Sequence, residues 1–479
     1  MLYRQKFETF IRRYGDIGYI ANRGNSTDRV VDASGAVFLD ALSREPKSLT
    51  ALTEEISKAF TETPPDFESD VAEFYRLFEE DGFIVSGETI DELDVKDIRF
   101  SYNDINPKTM RSDFSPKILR SEKNTQSFLS AHFKDRPQLV SLQIELTSLC
   151  NERCIHCYIP HENRTNDMPL ELYDDVLRQA SEMGVLGITL SGGEPLLHKD
   201  FLEILKHTKK YDFSIGILSN MTLLNDEILY EMKSAHISIV GISLYSMDSE
   251  IHDKITQAPG SHKKTIHAIE KLIANDIPIQ IHCPIMRQNK TSYKDVLRWA
   301  TDRKISAVPD YVMMARYDRS NDNLDNRLRL DEIEPLVRDI LSGDKAYRER
   351  ICRADFDAAL SRDVCDEPIC GVCISAISMV ANGNLYPCAG WQSFVLGNIK
   401  ERSLRDIWDN AEPVQYLRGI RKKDFPDCIK CQDRNFCAMC LVRNANESPT
   451  GNLFDTNKHF CEVAALNRKV VENWLLLNN

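Results

Sequence analysis

The chain has 479 residues, room for about three domains, and 42% of them are hydrophobic, so a sizeable core forms and global disorder is excluded. A formal net charge of -13 excludes a general nucleic-acid binder, and the short clusters Lys209-Lys210 and Arg421-Lys422-Lys423 read as solvated surface. The opening MLYRQKFETFIRRY has no apolar h-region, no run is long and apolar enough to span a bilayer, and a cytoplasmic protein without membrane partners is expected.

Residues 1–90 read as a separate small domain. Short extended runs, Glu8–Arg13, Gly18–Asn22 and Arg29–Asp32, are broken by Gly15-Asp16 and by Gly24-Asn25-Ser26. Three helical patterns follow. The first has Ser34 as its expected N-cap and carries Val37, Leu39 and Leu42. The second has Leu49, Leu52 and Ile56 on one side, and the third has Val71, Phe74, Leu77 and Phe78. Gly82 ends the last, and Phe83-Ile84-Val85 reads as a closing strand. This arrangement resembles the winged-helix-like, PqqD-like recognition elements of systems that modify ribosomally made peptides. The resemblance implies that a precursor's leader adds as a strand beside Arg29, Val30 and Val31, with Phe74 and Phe78 nearby. A structural or dimerising winged-helix domain is the plainer alternative. Residues 91–138 are polar and mixed, with Pro107, Pro116 and Pro137. They read as a bridging segment, with one short helix around Gln126–His132, that links or wraps its neighbour.

From 139 to 315 strands and helices alternate. The expected strands are Leu142–Leu146, Gly187–Leu190, Ser214–Leu218, Ser238–Ser243, Pro278–His282 and Ala307–Met313, with helices between them. Repeated β-then-α patterning means a parallel sheet, and its ligands gather at the C-terminal strand ends. The first strand alternates strictly, with Leu142, Ile144 and Leu146 on one face and Gln143, Glu145 and Thr147 on the other. It runs into Cys150, Cys154 and Cys157, followed by Tyr158. Three thiolates on one loop supply three ligands where a 4Fe–4S cluster has four irons, leaving one iron open. Zinc is the rival, but it prefers paired C-x2-C knuckles, and His156, between two of the cysteines, has little freedom to become a fourth ligand. After the second strand comes Ser191-Gly192-Gly193-Glu194-Pro195, where two glycines permit close approach of backbone to a ligand and a carboxylate can accept from an ammonium group. Ser219-Asn220 ends the third strand and Ser243 the fourth. Taken alone these are ordinary turn formers. Cys283 reads as a buried structural thiol.

These motifs resemble the radical S-adenosylmethionine (SAM) enzymes. The resemblance implies an α/β partial (β/α)6 barrel in which Cys150, Cys154 and Cys157 hold the catalytic 4Fe–4S cluster. It also implies that Tyr158, Gly192, Gly193, Glu194, Ser219, Asn220 and Ser243 contact SAM.

Residues 316–364 are a charged helical connector with an isolated Cys352. Fourteen cysteines in a large chain without a signal do not read as disulfides, and most of them fall after this point. Cys365, Cys370, Cys373 and Cys388 precede a gap, C-x2-C-x5-C-x3-C follows as Cys428, Cys431, Cys437 and Cys440, and Cys461 stands last. Asn382-Gly383-Asn384 is a hairpin-turn signal that returns the chain to Cys388. Zinc knuckles are a fair rival. The pattern over 365–479 resembles the SPASM extension of radical SAM enzymes, which implies two auxiliary 4Fe–4S clusters. One would take Cys370, Cys388 and Cys440, with Cys373 or Cys365 as the fourth ligand or one iron left open. The other would take Cys428, Cys431, Cys437 and Cys461.

Together the resemblances imply a RiPP maturase, an enzyme that modifies a ribosomally made peptide. A 5′-deoxyadenosyl radical would start the chemistry, a flavodoxin or ferredoxin would supply electrons, and an intramolecular thioether is the expected product. Carbon–carbon crosslinking, epimerisation, a sulfatase-maturase-like oxidation, action on a small molecule and a non-catalytic metal-bound peptide adaptor are the alternatives.

Overall fold

The computed structural model describes residues 1–24, 27–99, 125–161, 167–343 and 345–478. Most of the expected bridging segment, residues 100–124, lies outside them.

The N-terminal region holds six short strands in two three-stranded sheets. In the first, β1 (Leu2–Gln5) pairs antiparallel with β5 (Lys47–Ser48) and β6 (Ile84–Gly87). In the second, β2 (Thr9–Tyr14), β3 (Ile17–Asn22) and β4 (Thr27–Val31) form an antiparallel meander. Sequence reading misses β1 because its four residues, Leu-Tyr-Arg-Gln, carry no run of strand formers. The first helix, Ala33–Asp40, is capped by Asp32 and not by Ser34: the Asp32 carboxylate accepts from the Gly35 amide at 2.9 Å. Helices Leu49–Ser57 and Phe67–Glu80 follow, and a further helix, Ile90–Arg99, begins where a linker was expected. Ile20, Leu39, Leu52, Ile56, Val71, Tyr75, Phe83 and Ile84 form the small core. Phe78 stacks on Phe74 at 4.4 Å and is buried in that core, so it is not part of an accessible edge.

Six parallel strands make the main sheet in sequence order: β7 (Ser141–Thr147), β8 (Gly187–Gly192), β9 (Ser214–Ser219), β10 (Ile239–Ser243), β11 (Ile279–Pro284) and β12 (Ser306–Asp310). Amphipathic helices between them, Leu170–Glu182 the first, bury Tyr173, Val176 and Leu177 against the sheet. This is the open barrel that the alternation predicts. The sheet does not stop at its sequence boundary. Strand β13 (Ala376–Met379) pairs parallel with β7, and β14 (Asn384–Tyr386) and β15 (Gly397–Asn398) extend the same nine-stranded sheet. The turn between β13 and β14 uses Gly383 at φ +93, a conformation that favours glycine. The cysteine-rich region is thus built directly on the strand that carries the cysteine triplet.

The meander β2–β4 sits at the opposite end of the barrel from that triplet. Its Phe10, Tyr14 and Tyr19 pack with Leu129, Phe133 and Leu186. The Tyr14 hydroxyl donates to Gly184 O at 2.6 Å, Arg23 and Arg44 reach Asp212 at 3.3 and 2.8 Å, and Glu8 meets His236 at 3.0 Å. Gly184, Leu186, Asp212 and His236 all precede barrel strands, so this contact lies at the N-terminal strand ends. Among the described residues no helix is long and apolar enough to cross a membrane.

Candidate active site

The period-two pattern of β7 buries Leu142, Ile144 and Leu146, but its polar face is not in solvent. Gln143 donates to Ser191 Oγ at 2.9 Å, and Glu145 and Thr147 are buried. The loop that follows is pinned from the side, because Arg153 N and Ile155 N donate to Thr256 O and Ile255 O at 2.9 and 3.0 Å. Cys150, Cys154 and Cys157 share one site. Burial is the first cause that lifts the Cys154 thiol well above its ordinary range, and Glu152, Cys157 and Cys150 add to it. The Tyr245 hydroxyl donates toward Cys154 Sγ at 3.9 Å and faces His156 Nε2 at 3.4 Å. Burial holds His156 down to about 4, so the ring is neutral.

The Gly192-Gly193-Glu194 segment has a different physical reason from the one its residues suggest. A Cβ on Gly192 would collide with Thr147 O, and one on Gly193 with Leu149 O. The close approach is to the backbone of the cysteine loop, not to open ligand space. Gly193 N donates to Thr147 O and Glu194 N to Leu149 O, both at 2.8 Å, which zips the two loops together. The Glu194 carboxylate accepts from Ser219 Oγ (2.7 Å), Leu196 N (3.0 Å) and Asn220 N (2.8 Å). Burial lifts it to about 7. Asn220 reaches on to Asn151 at 2.9 Å, so Glu194, Ser219 and Asn220 form one network that closes on the cysteine loop. Ser243 ends β10 opposite His282 in the register and bonds to Tyr245. The structure therefore brings all the expected barrel residues to one end of the sheet. Cys283 is buried, and its thiol is pushed up to about 12 by burial.

Sequence reasoning missed Glu145, Tyr317 and Gln392. With Thr147, Ser148, Ile159, Asn382 and Tyr386 they line a cavity of about 160 Å³ between the cysteine loop and the β13–β14 hairpin. Gln392 Nε2 donates to Glu145 at 2.9 Å, and the Tyr158 hydroxyl lies 3.5 Å from its other oxygen. Only one signal pointed there, an acidic residue within the C-terminal half of a buried strand. Tyr158 is the hinge of the arrangement. Burial first, then Glu145, Cys157 and Cys388, raise its hydroxyl well above the usual range.

The later cysteines sort into two sets. Cys370 and Cys388 each lie within electrostatic reach of both Cys373 and Cys440. Burial pushes Cys373 and Cys388 up to about 12. Cys373 has φ +57, and its amide donates to Ala376 O at 2.9 Å. Cys365 instead stands among Asp363, Asp366 and Lys423. Cys428, Cys431, Cys437 and Cys461 form the other set; burial, then its three partners, lifts Cys437 to about 11. Cys352 is exposed. Among the described residues no three His, Cys, Asp or Glu side chains converge tightly enough to hold a single metal ion, so the fit of a cofactor rests on the donor sets. They are all sulfur, three thiols in one site and four in each of the others. Thiols are the ligands that 4Fe–4S clusters take.

Residues 144–300 match the family model of the radical SAM superfamily, and residues 370–433 match the SPASM iron-sulfur cluster-binding domain. The chain is 26% identical over 334 residues to the AdoMet-dependent heme synthase of Methanosarcina barkeri, covering 64% of this chain and 92% of that one. It is 25% identical over 324 residues to the antilisterial bacteriocin subtilosin biosynthesis protein AlbA of Bacillus subtilis, covering 65% and 69%. Its fold is similar to that of Streptococcus suis SuiB bound to precursor peptide SuiA, with a TM-score of 0.60, 17% identity, and 95% and 99% of the two chains covered.

Proposed function

We propose that this radical SAM and SPASM chain modifies a ribosomally made precursor peptide, joining a cysteine sulfur to a carbon of another residue. One observation carries the reading: Tyr158, which directly follows Cys157, lies within electrostatic reach of Cys388 and bonds the cavity-lining Glu145, so one side chain links both cysteine sites to the cavity wall. The role of AlbA in subtilosin biosynthesis and the precursor peptide bound to SuiB support a peptide substrate.

Cys150, Cys154 and Cys157 would hold the catalytic cluster. Tyr158, the Gly192-Gly193-Glu194 loop, Ser219, Asn220 and Ser243 would seat SAM. Bound there, cluster and SAM supply hydrogen-atom abstraction, and the auxiliary clusters offer an electron acceptor. Cys370, Cys373, Cys388 and Cys440 would hold one auxiliary cluster and Cys428, Cys431, Cys437 and Cys461 the other. With Cys373 beside Cys370 and Cys388, no iron in the first is left for a substrate thiolate. Flavodoxin or ferredoxin is the electron donor in this reading.

Residues 1–90 would recognise the leader. Strand β4 lies at the edge of its sheet, and Thr125 covers its start through a 2.8 Å bond to Asp28. Its end opens on a groove of about 440 Å³ lined by Val31, Gly35, Phe38 and Phe74. An added strand there would pair its backbone with β4 and place side chains on the two rings.

The test is co-expression without oxygen with the short peptide encoded beside the gene. The protein should carry roughly twelve irons, and the peptide should lose two hydrogens per link with one cysteine resisting alkylation. A two-hydrogen loss with every cysteine alkylated means a carbon–carbon link. Unchanged mass with solvent deuterium at an α-carbon means epimerisation. Two zincs with about four irons replaces the auxiliary clusters.

A further inference from the structure

The cavity between the cysteine loop and the β13–β14 hairpin is lined by one ionisable carboxylate, which bonds Tyr158 but is not itself assigned to the cysteine sites or to SAM. Glu145 stands at the C-terminal end of β7 and is 3% exposed. Gln392, from the cysteine-rich region, holds one of its oxygens, and Tyr158, from the cysteine loop, faces the other. Three separate segments therefore fix one carboxylate at the wall of a space large enough for a benzene-sized group. Among the described residues, no lysine, arginine or histidine lines that space. The titratable groups around the carboxylate are phenols: Tyr158 bonds it, Tyr386 lies within its electrostatic reach, and Tyr317 lines the same space.

We infer that Glu145 is the base of the reaction and takes the proton from the peptide group that closes the new bond. The inference rests on the peptide reading above. Closing a thioether removes from the peptide one hydrogen atom, one electron and one proton. The 5′-deoxyadenosyl radical would take the atom, and an auxiliary iron–sulfur cluster, once bound, would accept the electron. The S–H bond breaks, its proton passes to Glu145 to give the neutral acid, and the sulfur keeps the electron pair for the carbon–sulfur bond. Position makes Glu145 the acceptor: it is the one carboxylate among the residues lining the space, and its partner Tyr158 is the side chain within electrostatic reach of both cysteine sites. Its environment makes it a competent one. Burial lifts it to about 7, against weaker opposing bonds from Gln392 and Tyr158. That lies within about two pH units of an ordinary thiol, whereas an unperturbed carboxylate is too weak a base.

Two readouts on the full cluster-loaded chain test this. The first is infrared titration of the carboxyl C=O band. A protonated band that disappears near pH 7 is expected in the wild-type minus Glu145→Gln difference spectrum, which removes the bands of Glu194 and Glu152, carboxyls that burial also lifts to about 7. A carboxylate charged throughout pH 5–9 overturns the inference without any peptide. The second uses the peptide encoded beside the gene and counts crosslinks formed per 5′-deoxyadenosine. Glu145→Gln should lower that ratio roughly a hundredfold or more, with partial recovery in Glu145→Asp and a shifted pH profile. Iron content and melting temperature control for misfolding. A ratio unchanged from wild type at every pH overturns the base assignment while the peptide reading stands. A wild-type enzyme that leaves the peptide unmodified instead sinks the peptide reading and, with it, the base.

Discussion

The two ends of the barrel are built by different rules. At the cysteine-bearing end, backbone meets backbone: Gly192 and Gly193 lie against Thr147 and Leu149 with no room for a Cβ. The carboxylates Glu145 and Glu194 are buried among neutral donors. At the other end side chains do the joining, through ion pairs of Arg23 and Arg44 with Asp212 and of Glu8 with His236 around an aromatic patch. A site that must place reacting atoms gains from backbone constraint, because rotamer freedom is small there. A module that only has to be attached tolerates long side chains and water.

The largest effect expected from this contrast is at Gly193. Gly193→Ala should abolish 5′-deoxyadenosine formation and strip iron from the triplet, since the collision is with backbone that cannot swing aside. The clusters further along the chain should remain. Retention of wild-type iron and SAM cleavage would mean that the end is more pliable than its packing implies.

The ends should also answer pH in opposite directions. Burial raises Glu145 from 4.5 to about 7. Between those values the folded carboxyl is protonated and the unfolded one is not, so its contribution to stability is present below about 4.5 and is lost as pH rises through 7. The shift corresponds to at most about 3 kcal/mol. For Glu8, burial pushes up, but the His236 hydrogen bond and charge, with Arg23 and Lys209, outweigh it and lower the group. Its contribution is present above the ordinary carboxylate range and is lost as pH falls through its lowered value. Urea midpoints of Glu145→Gln relative to wild type should therefore rise between pH 5.5 and 8. Those of Glu8→Gln should differ most from wild type near neutrality and converge with it in acid. Parallel curves for Glu145→Gln would show that its carboxyl is not held neutral.

A smaller effect is expected at Asp212. Asp212→Ala removes the shared acceptor of Arg23 and Arg44, and amide exchange across β2–β4 should speed up while the triplet keeps its iron. Protection unchanged from wild type would assign the attachment to the aromatic patch alone. Smallest is Phe74→Glu. A charge in the groove beside β4 should weaken leader binding to the full chain by about tenfold, or about 1.4 kcal/mol. Equal affinity would move the leader elsewhere.

The barrel strands and the cysteine triplet were legible because period-two alternation and loop spacing are local signals. So was the β13–β14 turn, from Asn382-Gly383-Asn384. What escaped was what distant segments decide together. Asp32 caps the first helix where Ser34 was expected, since the cap follows from where the strand ends. Phe78 looked as available as Phe74, yet the fold buries it. No local pattern announces that Gln392 will meet Glu145, 247 residues away. The grouping of Cys373 with Cys370 and Cys388, and not Cys365, likewise depends on the positive φ of Cys373 itself, three residues before β13.

The pairing of β13 with β7 sets an order of events during synthesis. Strand β7 holds the cysteine loop, and its neighbour on one side, β8, emerges soon after it. The neighbour on the other side is made more than two hundred residues later. Until then β7 is an open edge with unpaired amides and carbonyls, the kind of surface on which nascent chains aggregate. Pairing of β7 is thereby completed only when the hairpin arrives, so a ribosome that stalls before Ala376 leaves an adhesive half-barrel whose cavity lacks its β13–β14 wall.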